Sequence, residues 1–307
     1  MFRLRMKNKL VLLVMALISL SACSKQPKIL IAGSGWGEIA LVDKENKSID
    51  WRHEIGQGAE CNCVILTPDN RIAYSYRNGA RLIDFNQEVI WDYKLEEPGE
   101  IHTVASLPQG GFMLAASGSP AKIIELDREG KQTSVITFDA ASTDMHGQFR
   151  QIRKSRNGNY LVPLLSRAAV VELDRNGKEV KSYPVANAPF SVMELPSDNL
   201  IVSCGDGHYF VEIDRKSGKE IRKISQSDFS QKDIMHYVAQ IVRLENENLL
   251  LCNWNGHFRP GEEKNVPHLI EFDSDCNIVW QLDDFSNIKR VSAVHYIEDG
   301  SKLQFNN

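Results

Sequence analysis

His102, His146 and His236 each stand at or just before the start of an apolar strand-like run. His208 and His257 close Gly205-Asp206-Gly207-His208 and Asn253-Trp254-Asn255-Gly256-His257. Histidine has an unperturbed pKa near neutrality, so a group of them suits proton transfer, nucleophilic attack or hydrogen bonding to a ligand. Arg150, four residues after His146, suits anionic oxygens. Trp36 and Trp254 offer flat faces to a sugar or aromatic ring, and Asn62, Gln148 and Gln240 offer directed amide hydrogen bonds. The plainer alternative is that the histidines plug a polar channel and bond to strand ends. The sequence shows no paired-carboxylate motif for glycoside hydrolysis and no His-x-x-x-His spacing for a metal. It has no Gly-x-Ser-x-Gly elbow and no Walker loop. Gly33-Ser34-Gly35-Trp36-Gly37 lacks the third glycine of a dinucleotide loop and leads into a strand. Neither a metal nor a cofactor is expected.

The elements that would position these residues recur. Six short apolar runs end in an aspartate at a turn: Asp43, Asp84, Asp127, Asp174, Asp214 and Asp273, spaced 41, 43, 47, 40 and 59 residues apart. A repeat of this length, without helical periodicity between the beats, predicts an all-β, six-bladed β-propeller of four-stranded blades. With strands lettered A to D from the axis outward, the A strands are expected near Glu60, Glu100, Gly147, Ala188, Tyr237 and Val291. Each leads to a turn rich in Pro, Asn, Asp and Gly, such as Arg156-Asn157-Gly158. The Asp-terminated runs are the C strands, and Trp51, Trp91 and Trp280 fall on D strands. Ile29-Leu30-Ile31-Ala32 has no A strand before it, whereas Val291 to Tyr296 has no blade of its own. Pairing of these two ends would close the ring and remove its free edges. In such a ring the D-to-A and B-to-C connections share one face, so the five histidines converge at a channel mouth.

Two propeller families are similar to these repeats. Asp214-Arg215-Lys216-Ser217-Gly218-Lys219 and the D-strand tryptophans resemble PQQ-type quinoprotein repeats. The further docking tryptophans, eight blades and vicinal cysteine pair of the cofactor-using members are absent, so PQQ is not expected. The stretch from His146 through Asn157-Gly158 to Glu172-Leu173-Asp174, with a second copy at His102 and Pro108-Gln109-Gly110, resembles bacterial arylsulfotransferases and their relatives. That resemblance implies a sulfohistidine at His102, His146 or His236, with Arg150 holding the sulfuryl oxygens.

Residues 1–22 carry Arg3, Arg5, Lys7 and Lys9, an apolar stretch of about 11 residues and Leu20-Ser21-Ala22-Cys23. This reads as a secretory signal, too short for a bilayer span of about 20 residues. Its ending resembles the lipobox of bacterial lipoproteins, which implies a lipid anchor on Cys23. Residues 23–28 are then a tether of under about 20 Å and residues 29–307 a single propeller domain. Ser24 after the cysteine resembles enteric outer-membrane lipoproteins and favours the periplasmic side. Without residues 1–22 the chain keeps 32 Lys and Arg against 40 Asp and Glu, a net charge of about −8. Such a balance gives no electrostatic footprint for nucleic acid. Five cysteines remain: Cys61 and Cys63 are expected on one strand face about 7 Å apart, too far for an easy bridge, and Cys204 and Cys252 on neighbouring B strands.

The expected function is binding of a small or oligomeric ligand, such as a glycan, at the His- and Trp-rich mouth. The alternatives are an arylsulfotransferase-like or glycan-processing enzyme working through a mouth histidine, and a scaffold for another envelope protein. No feature names a protein partner.

Overall fold

The computed structural model describes residues 25–56, 59–258 and 265–303. The expected signal and Cys23, the expected lipidation site, lie outside the described residues, as does the charged segment 259–264. Among the described residues, 24 strands pair into six four-stranded antiparallel sheets. Blade one is built from Ala293–Ile297 on the inside, then Lys28–Ala32, Glu38–Asp43 and Ile49–Glu54. The ring therefore closes by pairing the chain ends, with Lys28 opposite Ile297, Leu30 opposite His295 and Ala32 opposite Ala293. The other five blades follow in sequence order.

Each aspartate of the repeat caps the turn between a C strand and a D strand. Asp174 Oδ1 accepts from the amides of Asn176 at 2.8 Å and Lys178 at 3.0 Å. Asp127 and Asp273 do the same. Carboxylates in this Asx geometry satisfy amides that no ladder reaches. In all six blades the C and D strands slip register one or two residues before this aspartate, as between Glu172 and Leu173. A bulge there adds the local twist a blade needs.

The Glu of the Glu-x-Asp pattern faces the opposite hairpin. Glu172 Oε1 accepts from Asn157 and Asn159 at 2.9 and 2.7 Å, Glu271 accepts from Asn246 and Asn248, and Glu212 from Asn199. The motifs behind the sulfotransferase resemblance are thus braces between the A–B turn and the C strand. The D-strand tryptophans staple neighbouring blades. Trp51 Nε1 donates to Phe85 O and Trp280 Nε1 to Lys44 O, both at 2.9 Å, while Trp91 packs edge-on to Phe112. Apolar residues from facing blades fill the space between them, as where Ile29, Ile31 and Val42 meet Leu250, Cys252 and Leu269.

Three inner strands begin later than expected. They run Val64–Leu66, Arg153–Lys154 and Ser191–Glu194 instead of opening near Glu60, Gly147 and Ala188. Upstream of them the chain makes single bridges, Ser34 with Glu60, Phe149 with Leu164 and Gln151 with Ser191. Where the ladder is interrupted the chain bonds to the neighbouring blade, as Gln151 N does to Phe190 O and Asn62 Nδ2 to His102. Cys61 and Cys63 accordingly precede the strand and share no strand face; all five described cysteines are free and buried.

Candidate functional site

The D-to-A and B-to-C connections meet on one face, and the residues there form two clusters. In the first, the Glu100 carboxylate accepts from His146 Nδ1 at 2.8 Å and lies 3.5 Å from His102 Nε2. Arg150 Nη2 sits 3.1 Å from His146 Nε2. A guanidinium only donates, so Nε2 is the acceptor and the proton of a neutral His146 sits on Nδ1, toward Glu100. The hydrogen bond with Glu100 raises the His146 pKa, and the same bond holds Glu100 below the usual carboxylate range. Arg150 is 8 % exposed. It also donates through Nη1 to the carbonyls of Phe149, at 2.9 Å, and His146. Burial lowers its pKa, and among the described residues no carboxylate lies within 4 Å of the guanidinium.

His102 is sealed beneath this cluster. Its ring is fully buried, Asn62 Nδ2 donates to its Nδ1 at 3.2 Å, and burial followed by the Arg150 charge pushes its pKa well below the ordinary value. It is a neutral bridge between the mouth and the axis. Gln148 is spent within the protein: it exchanges two hydrogen bonds with the Gly118 backbone of blade three and donates a third to Ser142 O.

The second cluster surrounds Tyr237. His257 Nδ1 donates to Asp206 Oδ1 at 2.9 Å, which draws the Asp206 pKa down. His208 Nδ1 donates to His236 O, and the His236 ring stacks on Phe258 with centroids 3.8 Å apart. Trp254 and His257 lie edge-on to Tyr237, each 5.2 Å away, and Trp254 Nε1 donates to Ser34 O. Trp36 packs against the core between blades six and one. Gly205 has no room for a side chain, because a Cβ would come within 2.7 Å of the Tyr237 ring. Gly33 meets the Arg290 carbonyl in the same way, which explains the glycines of that loop without a nucleotide. Tyr237 joins the clusters: burial pushes its phenol up to about 12, with Arg150 pulling down and Asp206 up.

Below the mouth a layer of amides crosses the axis. Gln151 Nε2 donates to Asn62 O at 2.8 Å and to Gln240 Oε1 at 3.0 Å, and Gln240 exchanges two hydrogen bonds with the Val294 backbone. Asn62 and Gln240 therefore belong to this plug and not to the open rim. Under it the channel widens into a cavity of about 590 Å³ that opens on the opposite face. A larger groove of about 900 Å³ lies farther from the axis on the same face, between the outer strands of blades two and three, and reaches Met145 beside His146. No three of His, Cys, Asp and Glu stand close enough among the described residues to hold a metal ion.

Sequence reasoning missed Glu100, Asp206, Tyr237, Phe258 and Gln151. Asp206 stands beside His208 in the chain but takes His257, 51 residues away, and only the three-dimensional ring makes that pairing. Glu100 had a usable signal, lying two residues before His102 on a strand expected to open at Glu100.

A family model described as Mal s 1 allergenic protein-like matches residues 34–277. This is a different family from the two whose repeats the chain resembles. A crystal structure of a protein of unknown function from Bacteroides caccae is 35% identical, covering 90% of this chain and all of that one, with a TM-score of 0.84. A catalytically inactive His-to-Ala form of virginiamycin B lyase from Staphylococcus aureus, with quinupristin, is 12% identical over 88% of each chain, with a TM-score of 0.57. The WD40 propeller domain of Doa1 is 12% identical over 73% of this chain and 71% of that one, at 0.54. These last two are alike in fold alone. No curated protein matches.

Proposed function

The chain belongs to the Mal s 1 allergenic protein-like family, and from that premise we propose that it is a lipid-anchored envelope propeller that binds an anionic ligand, such as an acidic glycan, at its mouth. One observation carries this reading: Arg150 is buried there and bonds to no carboxylate among the described residues, with Glu60, Glu100 and Asp144 acting on it only through space. A buried guanidinium whose hydrogen bonds go only to carbonyls and an imidazole can still make charge-assisted bonds to an anion, and such bonds are strong in these surroundings. Tyr237, Trp254 and the His236–Phe258 stack supply aromatic faces for the body of a ligand.

The test is a thermal-shift panel of uronic-acid and sulfated oligosaccharides with the mature protein. A ligand selective for the native state raises the melting temperature, by about 2.7 kcal/mol of stabilisation at a hundred times its Kd. Arg150→Gln is expected to abolish the shift and His257→Ala to reduce it. A shift that survives Arg150→Gln would remove the anion from the mouth.

A catalytic reading has its own support. His146 is held by Glu100 and His257 by Asp206, each through Nδ1, the arrangement that orients an imidazole for acid–base work. The lyase of similar fold is inactive when a histidine is replaced. Of the three histidines considered for sulfuryl transfer, His102 is too buried to attack a substrate. Under this reading His146→Gln loses turnover while the thermal shift remains.

Anchoring through Cys23 rests on Leu20-Ser21-Ala22-Cys23. Labelled palmitate is expected to enter the chain and to be absent from Cys23→Ser; equal labelling of the two would exclude that anchor.

A further inference from the structure

The cavity beneath the plug holds charge that the mouth does not use. Each of the six inner strands turns one half-buried residue to this funnel: Ile65, Ala105, Arg153, Met193, Val242 and His295. Four of the six are apolar and the two that are not are neighbours in effect, because the Arg153 charge acts on the His295 ring. Other ionic residues at the opening are already engaged, Lys154 with Glu125 and Glu194 with Arg215. Arg153 donates only to Ile152 O at 3.1 Å and Gln151 Oε1 at 2.8 Å, and among the described residues no carboxylate lies within 4 Å of it. The His295 ring makes no hydrogen bond to any described residue. Burial, and then Arg153, lowers its pKa to about 4, so at neutral pH it keeps one N–H to donate.

An open-ended, mainly apolar space of about 590 Å³ with one unpaired cation and one idle donor has the make-up of a small-molecule site. We infer that the funnel is a second binding site, distinct from the mouth, for a small organic carboxylate whose apolar body packs within the ring while its carboxylate meets Arg153 and His295. The amide plug of Gln151, Asn62 and Gln240 forms its floor, so ligand enters only from the face opposite the histidine-rich mouth. The inference does not depend on the reading of the mouth.

Calorimetric titration of the mature protein with 4-phenylbutyrate tests it. Binding is expected, and Arg153→Met is expected to weaken it by about 10- to 100-fold, the range for loss of a charged hydrogen bond. Ser106→Trp provides an independent obstruction, since Ser106 is exposed at the rim of the funnel and outside the core. It should block binding without lowering the melting temperature. No binding at millimolar ligand in protein that melts cooperatively overturns the proposal. So does binding that survives both substitutions, or binding lost in Arg150→Gln instead, which would place the acid at the mouth.

Discussion

A chain ending at Arg290 is expected to lose its cooperative unfolding transition and to aggregate. The cut removes Ala293–Ile297, the inner strand of blade one, and leaves Lys28–Ala32 with an unpaired inner edge. It also takes Val291, Ala293 and Val294 out of two inter-blade cores and re-exposes Ile29 and Ile31, all buried in the intact ring. The four valine and isoleucine side chains among them each contribute about 1.5–3 kcal/mol by burial. Together these four reach the net stability of a domain, about 5–15 kcal/mol. The unpaired edge adds a template for strand addition between molecules. Circular dichroism during heating, with light scattering at 25 °C, reads both effects. A truncated chain that keeps a single sharp melt and stays monomeric would show that the ring holds without its closing strand.

The second large effect is expected at Arg215. Its guanidinium forks onto Glu172 at 2.9 and 3.3 Å and reaches Glu194 at 2.6 Å and Asp198 at 3.1 Å. Glu172 and Arg215 are 5 % and 7 % exposed. Removing one partner of a buried pair costs about 3–5 kcal/mol, because the other charge stays buried without it. Arg215→Met should therefore lower the melting temperature by roughly 10 °C in a domain of this size. Burial works to raise the Glu172 pKa, but hydrogen bonds from Asn157, Asn159, Arg215 and Tyr183 outweigh it and hold the carboxyl at about 2. A folded pKa below the unfolded value of 4.5 means that the stabilisation is complete above about pH 4.5. It is lost as the pH falls toward 2 and amounts to about 3 kcal/mol. Urea unfolding from pH 6 to pH 2 should show this acid limb in the native chain and a shallower one in Arg215→Met. Parallel limbs would place the acid sensitivity elsewhere.

Fold and site differed in how far they could be read from the chain. The blades were legible because each is a local object: the aspartate that ends each C strand caps a turn of neighbouring residues, and the pattern repeats with the blade. The closing strand was legible as a surplus at one end matching a deficit at the other. Mouth chemistry was legible only as a gathering of histidines. Their partners come from other blades, as Glu100 does for His146, and nothing in local spacing encodes them. The amides were harder still. Gln148, Asn62 and Gln240 read as candidate ligand contacts, yet all three close hydrogen bonds within the protein, because a ring of six strand ends leaves backbone groups near the axis that only side chains can satisfy. His295 was visible at the end of the last strand, and its place in the channel became apparent only once that strand was inserted into blade one.

Residues 25–28 lie at the A–B turn side of the ring, where Lys25 pairs with Glu245 and Lys28 with Asp43 and Asp50. Under the proposed lipid anchor at Cys23, a tether starting there would fix an orientation as well as a position. The funnel would be turned toward the bilayer and the mouth toward open solution, so that solutes reach the histidines from a full hemisphere while anything bound in the funnel must first pass through the narrow gap between protein and membrane.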